Sequence, residues 1–303
     1  MKIRIMSDLH IDVNEKYPLQ LPEKDRGIFT IIAGDTAGEI ADGVFWIRQN
    51  CPYGACVAGN HIVYNYYGKS IQELKNMLKE EFPMDSTMKF LENDYIELDN
   101  DIIIVGATLY TNYHLDGIPQ HIGMRACKHK LNDFRYGLYD DLENNEIVGL
   151  EPKHYLDMHY KSLEYIGKIC DENPNKKIIV VTHHAPSNQA IPSIYKGERD
   201  SNCGYASNLG GFIMQHPNIK AWIYGHCHDQ KQFNIGDCIC INNSRGYVSY
   251  MEDTNWNPCF YLDTDTWTTS TDESWFNREM SEDEKKRREE LDKAYDMMFR
   301  MMV

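Results

Sequence analysis

Aspartate, asparagine and histidine recur in this chain at one kind of place, the polar step just after a short apolar run. Ile3 to Met6 leads into Ser7-Asp8-Leu9-His10, Phe29 to Ala33 into Gly34-Asp35, and Ala55 to Ala58 into Gly59-Asn60-His61. Ile178 to Thr182 leads into His183-His184, and Ala221 to Tyr224 into Gly225-His226-Cys227-His228. Carboxylate oxygen, amide oxygen and imidazole nitrogen without thiolate suit Mn²⁺, with Fe²⁺ or Zn²⁺ as alternatives, whereas calcium prefers oxygen alone. The candidate ligands Asp8, His10, Asp35, Asn60, His183, His226 and His228 are too many for one tetrahedral ion. They suffice for two if a carboxylate bridges, and Asp35 is the natural bridge. Two such ions about 3.5–4 Å apart can acidify a bridging water into a nucleophile and neutralise phosphoryl oxygens, which is the clamp for in-line displacement at phosphorus.

The elements that must position these residues read as strands: the five runs just named, with Ile102 to Val105 and Cys238 to Ile241. In open α/β sheets the carboxyl ends of strands converge on one crevice, so five polar steps there imply one shared site. If the segments are extended, Asp8 with His10 and His226 with His228 project to the same side, each pair able to grip one ion. Glycines before Asp35, Asn60 and His226 permit tight turns after the strand. Between strands, Ser70-Ile71-Gln72-Glu73 is a capping box opening a helix that carries Leu74, Leu78 and Phe82. Pro152 opens a second helix, over residues 152 to 170, with Leu156, Leu163 and Ile166 inward. The alternation makes the fold class α/β.

Residues 110 to 150, rich in Tyr, His, Asn and Asp with little periodicity, read as a long insert over one end of the sheet and a candidate lid. A domain of residues 1 to 265 is followed by an extension, 266 to 303. There a capping box at Ser281 to Glu284 precedes a stripe of Leu291, Tyr295, Met298 and Met302, an amphipathic helix that docks on its own domain or meets an oligomer or partner.

The 303 residues are 42% hydrophobic and 25% charged, which excludes disorder and fibre. A net charge of −15 disfavours a protein that grips long DNA or RNA by neutralising phosphates. Two divalent ions would make a local anion site in an acidic chain without any basic surface. No apolar run approaches the roughly 20 residues that cross a bilayer, and the start MKIRIMSDLH lacks a secretory core, so a cytoplasmic protein is expected. Nine cysteines with no CxxC pair indicate reduced thiols rather than a disulfide framework or thiolate zinc.

The ordered set DLH, GD, GNH, THH and GHCH resembles the calcineurin-like metallophosphoesterases, over roughly residues 1 to 265 in motif order. FLENDYIELDNDIIIVGATLYTNY, KLNDFR, VVTHHAPS and NSRGY look like small bacterial and phage phosphohydrolases of that superfamily. The resemblance implies a four-layer sandwich, two central β-sheets flanked by helices, with the site at strand carboxyl ends. It implies Asp8, His10, Asp35 and His228 on a first metal and Asp35, Asn60, His183 and His226 on a second. His61 would stabilise or protonate the departing alkoxide. Ile62 stands where the family usually has Asp or Glu, so His61 lacks that partner, and Thr36-Ala37-Gly38 lacks the polar residue often found after GD.

Candidate phosphate or leaving-group contacts are Asn132, Asp133 and Arg135 in the insert, with Arg245 and His184. The reading is a two-metal phosphodiesterase or phosphatase acting on a small phosphoester, a nucleotide among the candidates. A nuclease or protein phosphatase of the same superfamily is one alternative; a metal-bearing interaction module without turnover is another.

Overall fold

Runs of isoleucine and valine become the parallel strands of two sheets in the computed structural model, which describes residues 1–272 apart from 23, 24, 26, 65–67, 84, 99 and 100. In chain order the elements are β1 (Lys2–Met6), β2 (Phe29–Ile32), α1 (Ile40–Asn50), β3 (Gly54–Cys56), α2 (Ile71–Glu81), β4 (Met88–Phe90), β5 (Asp94–Glu97) and β6 (Ile102–Ala107). Then follow α3 (Gln120–Lys130), α4 (Asp133–Tyr136), β7 (Leu138–Asp141), β8 (Glu146–Gly149), α5 (Pro152–Glu172), β9 (Lys177–Thr182), α6 (Arg199–Asn202) and α7 (Gly210–Gln215). The chain closes on β10 (Ile219–Tyr224), β11 (Lys231–Ile235), β12 (Cys238–Asn242), β13 (Phe260–Asp263) and β14 (Thr268–Thr271).

One sheet has the order β14-β13-β1-β2-β3-β4 and the other β11-β12-β10-β9-β6-β5. β1 to β4 are parallel in the first, and β12, β10, β9 and β6 in the second; β13, β14, β11 and β5 pair antiparallel at the margins. Alternation along each strand separates two cores. Ile3, Ile5, Ile31 and Val57 from one sheet meet Ile104, Ile179, Val181, Ile223 and Ile241 from the other in a cluster that contains no helix residue. Met6, Ile32, Ile103, Val105, Ile178, Val180 and Trp222 point the opposite way, onto Val44 and Ile47 of α1, Leu74 of α2, and Tyr155 and Ile166 of α5. Two sheets therefore lie face to face with helices outside, and burial on both faces explains why parallel strands read as nearly continuous apolar runs.

The helix signals act as expected. Ser70 Oγ accepts from the Glu73 N–H at 3.1 Å and Glu73 Oε2 from the Ser70 N–H at 2.9 Å. Pro152 begins α5, which buries Tyr155, His159, Ser162, Ile166 and Ile169 and leaves Leu156 and Leu163 partly covered. The segment 110–150 holds regular structure: α3, α4 and the β7–β8 hairpin, with α3 packed on α5 and α6. β14 carries the first sheet past residue 265. The amphipathic stripe after Ser281 lies outside the described residues. Among the described residues no helix is long and apolar enough to cross a membrane.

Candidate metal centre

The carboxyl ends of β1, β2, β3, β9 and β10 meet where the two sheets join. Backbone bonds weld the loops: Asp8 N–H donates to Gly34 O, His10 N–H to Asp35 O, Asp35 N–H to Ala58 O, Gly225 N–H to His183 O and Gly246 N–H to Asp8 O. These turns are not extended. Asp8, His10, Asp35, His226 and His228 have φ of 50°, 42°, 51°, 67° and 40°, a left-handed region disfavoured for residues with a Cβ by about 1–2 kcal/mol each. Simple strand alternation is therefore not what aims the side chains. Asp8 and His10 do face one cluster, but His226 and His228 divide between two. Gly59 and Gly225 allow the crowding: a Cβ on Gly59 would overlap the Asp35 carboxylate, and one on Gly225 would overlap Ser7 Oγ.

Ligand atoms of Asp8, His10 and His228 lie within 4.8 Å of one another, as do those of His10, Asp35 and His61, and those of Asp35, His183 and His226. Asp35 Oδ2 stands 3.1 Å from His183 Nε2 and 4.0 Å from His61 Nε2, while its Oδ1 accepts the His61 N–H at 3.0 Å. Asn60 Oδ1 is 3.0 Å from His183 Nε2. Asp8 Oδ1 is 3.4 Å from His228 Nε2, which is 3.1 Å from His10 Nε2. Asp8 Oδ2 accepts from Ser244 Oγ at 2.7 Å and from the His226 N–H at 2.9 Å.

Partners outside the clusters orient the rings. His183 Nδ1–H donates to Ala33 O at 2.9 Å and His228 Nδ1–H to Glu252 Oε2 at 2.7 Å, turning both Nε2 atoms inward, as metal-ligating imidazoles require. Burial alone would lower both histidines, yet carboxylates outweigh it: Asp35 and Asp8 carry His183 up to about 9, and Asp8 and Glu252 carry His228 up to about 10. Burial raises Asp8 and Asp35, but the surrounding imidazoles hold both well below the usual carboxylate range. Burial and neighbouring imidazoles push His10 and His226 well down.

This donor set fits divalent ions. Among the described residues the buried His226 Nε2 and His10 Nδ1 have no hydrogen-bond partner, and the facing Nε2 atoms of His10 and His228 crowd together two nitrogens that each offer a lone pair when neutral. Ions of the kind that imidazole and carboxylate favour, one at each cluster, would give His226 Nε2 a partner and the Nε2 atoms of His10 and His228 a shared one.

A cavity of about 390 Å³ opens on the centre. Lys130 to Asp133 of the 110–150 segment wall it, and so does a stretch not anticipated from sequence, Ile191 to Tyr205, through Ile191, Pro192, Tyr195 and Tyr205. Among the sequence-derived substrate contacts, Asn132 is exposed and lines the cavity. Asp133 is buried, and its carboxylate accepts from Tyr64 OH at 2.8 Å, Tyr155 OH at 2.9 Å and Asn60 Nδ2 at 3.3 Å, so it fixes which end of the Asn60 amide faces the centre. Burial raises its pKa despite those bonds. Arg135 is exposed and does not line the cavity. Arg245 is buried and gives its guanidinium to the carbonyls of Leu9 and Tyr17, bracing the Asp8–His10 turn. His184 is buried with Nδ1 3.2 Å from Thr108 O, and burial together with His183 drives it down to about 3.

Tyr247 and Glu252 escaped sequence reasoning. Tyr247 OH is 2.9 Å from His61 Nε2, its ring packs on His10 and His228, and its N–H donates to Glu252 Oε2 at 2.8 Å. Ile62, which follows His61, is buried in the core. Neither residue could be found from spacing, because each reaches its partner only through the fold.

Comparison with known proteins agrees with this geometry. A model of the calcineurin-like phosphoesterases matches residues 1–230. An uncharacterised protein of Acanthamoeba polyphaga mimivirus is 30% identical over 221 residues, 69% of this chain and 72% of that protein. The crystal structure of a phosphopantetheinyl hydrolase from Mycobacterium tuberculosis superposes with a TM-score of 0.55 at 17% identity, covering 82% of this chain and 90% of that one, a likeness of fold. The chain belongs to the calcineurin-like phosphoesterase family and is a metal-dependent phosphoester hydrolase.

Proposed function

We propose that the protein is a two-metal phosphoric ester hydrolase, phosphodiesterase or phosphatase, acting on a small phosphoester. The observation that carries this reading is the Asp35 carboxylate, which belongs both to the His10–His61 cluster and to the His183–His226 cluster. In the proposed assignment Asp8, His10, Asp35 and His228 hold one ion and Asp35, Asn60, His183 and His226 the other, with Mn²⁺ the first choice. Ions bound there supply an acidified water and positive charge against phosphoryl oxygens. The chain's own residues do the rest. Asp133 sets the Asn60 amide, Glu252 and Ala33 O set the imidazoles, and Arg245 braces the turn beneath them. His61, which lines the cavity and has its main chain tied to Asp35, donates a hydrogen bond or proton to the departing oxygen. Nine free, buried cysteines support a reducing, cytoplasmic setting.

The test combines metal analysis with turnover of bis-p-nitrophenyl phosphate and p-nitrophenyl phosphate in Mn²⁺. His61→Ala should keep its metal and lose at least a hundredfold in kcat, within the about 10²–10⁴ that general acids contribute. Asp35→Ala and Asn60→Ala should lose metal as well. Full occupancy and full activity in all three variants would remove the assignment. Stoichiometric metal with no turnover of any ester would instead leave a binding module.

A further inference from the structure

The cavity is as informative for the charge it lacks as for the groups it holds. Lys130 is the one lysine or arginine lining it among the described residues, and its Nζ lies 2.6 Å from Glu198 Oε2 and 3.3 Å from Ser201 Oγ. The pair is neutral as a unit and ties α3 to α6 at the cavity wall. Nearby arginines are occupied or turned elsewhere: Arg199 donates to Asp116 O, and Arg245 is buried against Leu9 and Tyr17. Beyond the metal centre, its histidines and the Lys130–Glu198 pair, the acidic side chains of the wall are the carboxyls of Glu252 and Asp133. A phosphoryl group seated at the centre is matched by the ions, but a second one would find no net positive charge in a protein of charge −15.

Part of the cavity wall is apolar. Leu131, Ile191, Pro192 and Tyr195 form it, and Tyr195 keeps 47% of its surface exposed. Tyr205 also lines the cavity, stacked on His226 with ring centroids 4.6 Å apart and planes 20° from parallel. A cavity of about 390 Å³ lies at the small end of the roughly 300–1,000 Å³ typical of organic ligands, room for a moiety of about nucleoside size.

Building on the hydrolase reading above, we infer that the substrate is an ester with a single phosphoryl group on a flat, uncharged organic moiety of nucleoside size, and that the Lys130–Glu198 pair turns away substrates with a second phosphoryl group. The flat moiety lies against Tyr195, where aromatic stacking is tolerant of ring identity. Glu198 acts by cancelling Lys130, so its removal frees a cation for a second phosphoryl.

The experiment compares kcat/KM in Mn²⁺ for adenosine 5′-monophosphate, adenosine 5′-diphosphate and ribose 5-phosphate. Two diesters, the p-nitrophenyl ester of thymidine 5′-monophosphate and methyl p-nitrophenyl phosphate, are run beside them. Bis-p-nitrophenyl phosphate reports the hydrolase chemistry itself. The nucleoside ester should exceed its non-nucleoside counterpart at least tenfold in whichever ester class turns over. The monophosphate should exceed the diphosphate at least tenfold, or, if only diesters react, adenosine 5′-diphosphate should inhibit at least tenfold more weakly than the monophosphate. Tyr195→Ala should raise KM for the nucleoside ester about tenfold with little change in kcat. Glu198→Gln should narrow the monophosphate-to-diphosphate ratio at least threefold. Equal use or binding of mono- and diphosphate, equal use of sugar and nucleoside esters, or a Glu198→Gln ratio identical to wild type would overturn the inference while turnover of bis-p-nitrophenyl phosphate keeps the hydrolase reading intact. No turnover of any of these esters overturns both.

Discussion

Asp133 offers the sharpest separation between holding a site together and touching a substrate. Its buried carboxylate takes hydrogen bonds from Tyr155, Tyr64 and Asn60. Asp133→Ala leaves the Tyr155 hydroxyl unpaired in the interior, at about 1–3 kcal/mol, and leaves the Asn60 amide nitrogen only its 3.3 Å bond to the Tyr64 hydroxyl. Tyr64 faces the cavity and can turn to water, so it adds little. The expected loss is about 1–4 kcal/mol, a sizeable part of the roughly 5–15 kcal/mol that holds a folded domain. Asp133→Asn should behave differently. Its amide oxygen can still accept from Tyr64 and Asn60, and its amide nitrogen can donate to the Tyr155 hydroxyl, which accepts as readily as it donates. Because burial already penalises the charged form of Asp133, the neutral amide should stay within about 1 kcal/mol of wild type. Urea unfolding in EDTA measures stability and calorimetric titration with Mn²⁺ measures binding. Asp133→Ala should bind metal about 10–100-fold more weakly through a loosened Asn60, whereas Asp133→Asn should bind nearly as wild type. Equal stability of the two variants, or unimpaired manganese binding by Asp133→Ala, would show that the carboxylate does not position Asn60.

Tyr247→Phe removes the hydroxyl beside His61 and keeps the ring against His10 and His228. Metal content should be unchanged while kcat falls about tenfold and the pH profile of kcat moves, since about 1.4 kcal/mol is one decade and a positioning bond to a general acid is of that size; an unaltered kcat and profile would refute the role. His159 gives a pH prediction away from the metal centre. Burial holds it down to about 4, against an ordinary value near 6.5. Below pH 6.5 the unfolded chain takes up a proton that the folded chain refuses until about pH 4, so this group lowers stability as pH falls through that window, by up to about 3 kcal/mol. The difference in urea-unfolding free energy between wild type and His159→Gln should shift in favour of the variant by that amount between pH 8 and pH 4; a constant difference would count against the assignment.

Much of the fold was readable because β1, β2, β6, β9, β10 and β12 are largely buried on both faces and so read as mostly apolar runs rich in Ile and Val. The marginal strands were not: β5, Asp94–Glu97, alternates half-buried with exposed residues, and β14 is a short threonine-rich strand. α3 went unseen because it buries only Gly123 and Cys127, too few apolar positions to set a helical period. For the candidate ligands, residue type and place after a strand were enough to nominate them, but the left-handed turns at five of the seven are held by bonds between loops far apart in sequence. Arg245 shows the opposite failure. Its residue type suggested phosphate, while burial against Leu9 and Tyr17 gives it a bracing contact.

Those turns bear on engineering. The aim of each donor is stored in main-chain links between segments as distant as Asp8 and Gly246, and nothing short of both sheets supplies them. Transplanting the metal-facing residues onto the strand tips of an ordinary single-sheet scaffold would let the backbone relax to negative φ and fan the donors apart. A successful graft would have to carry the crossing loops of both sheets with it.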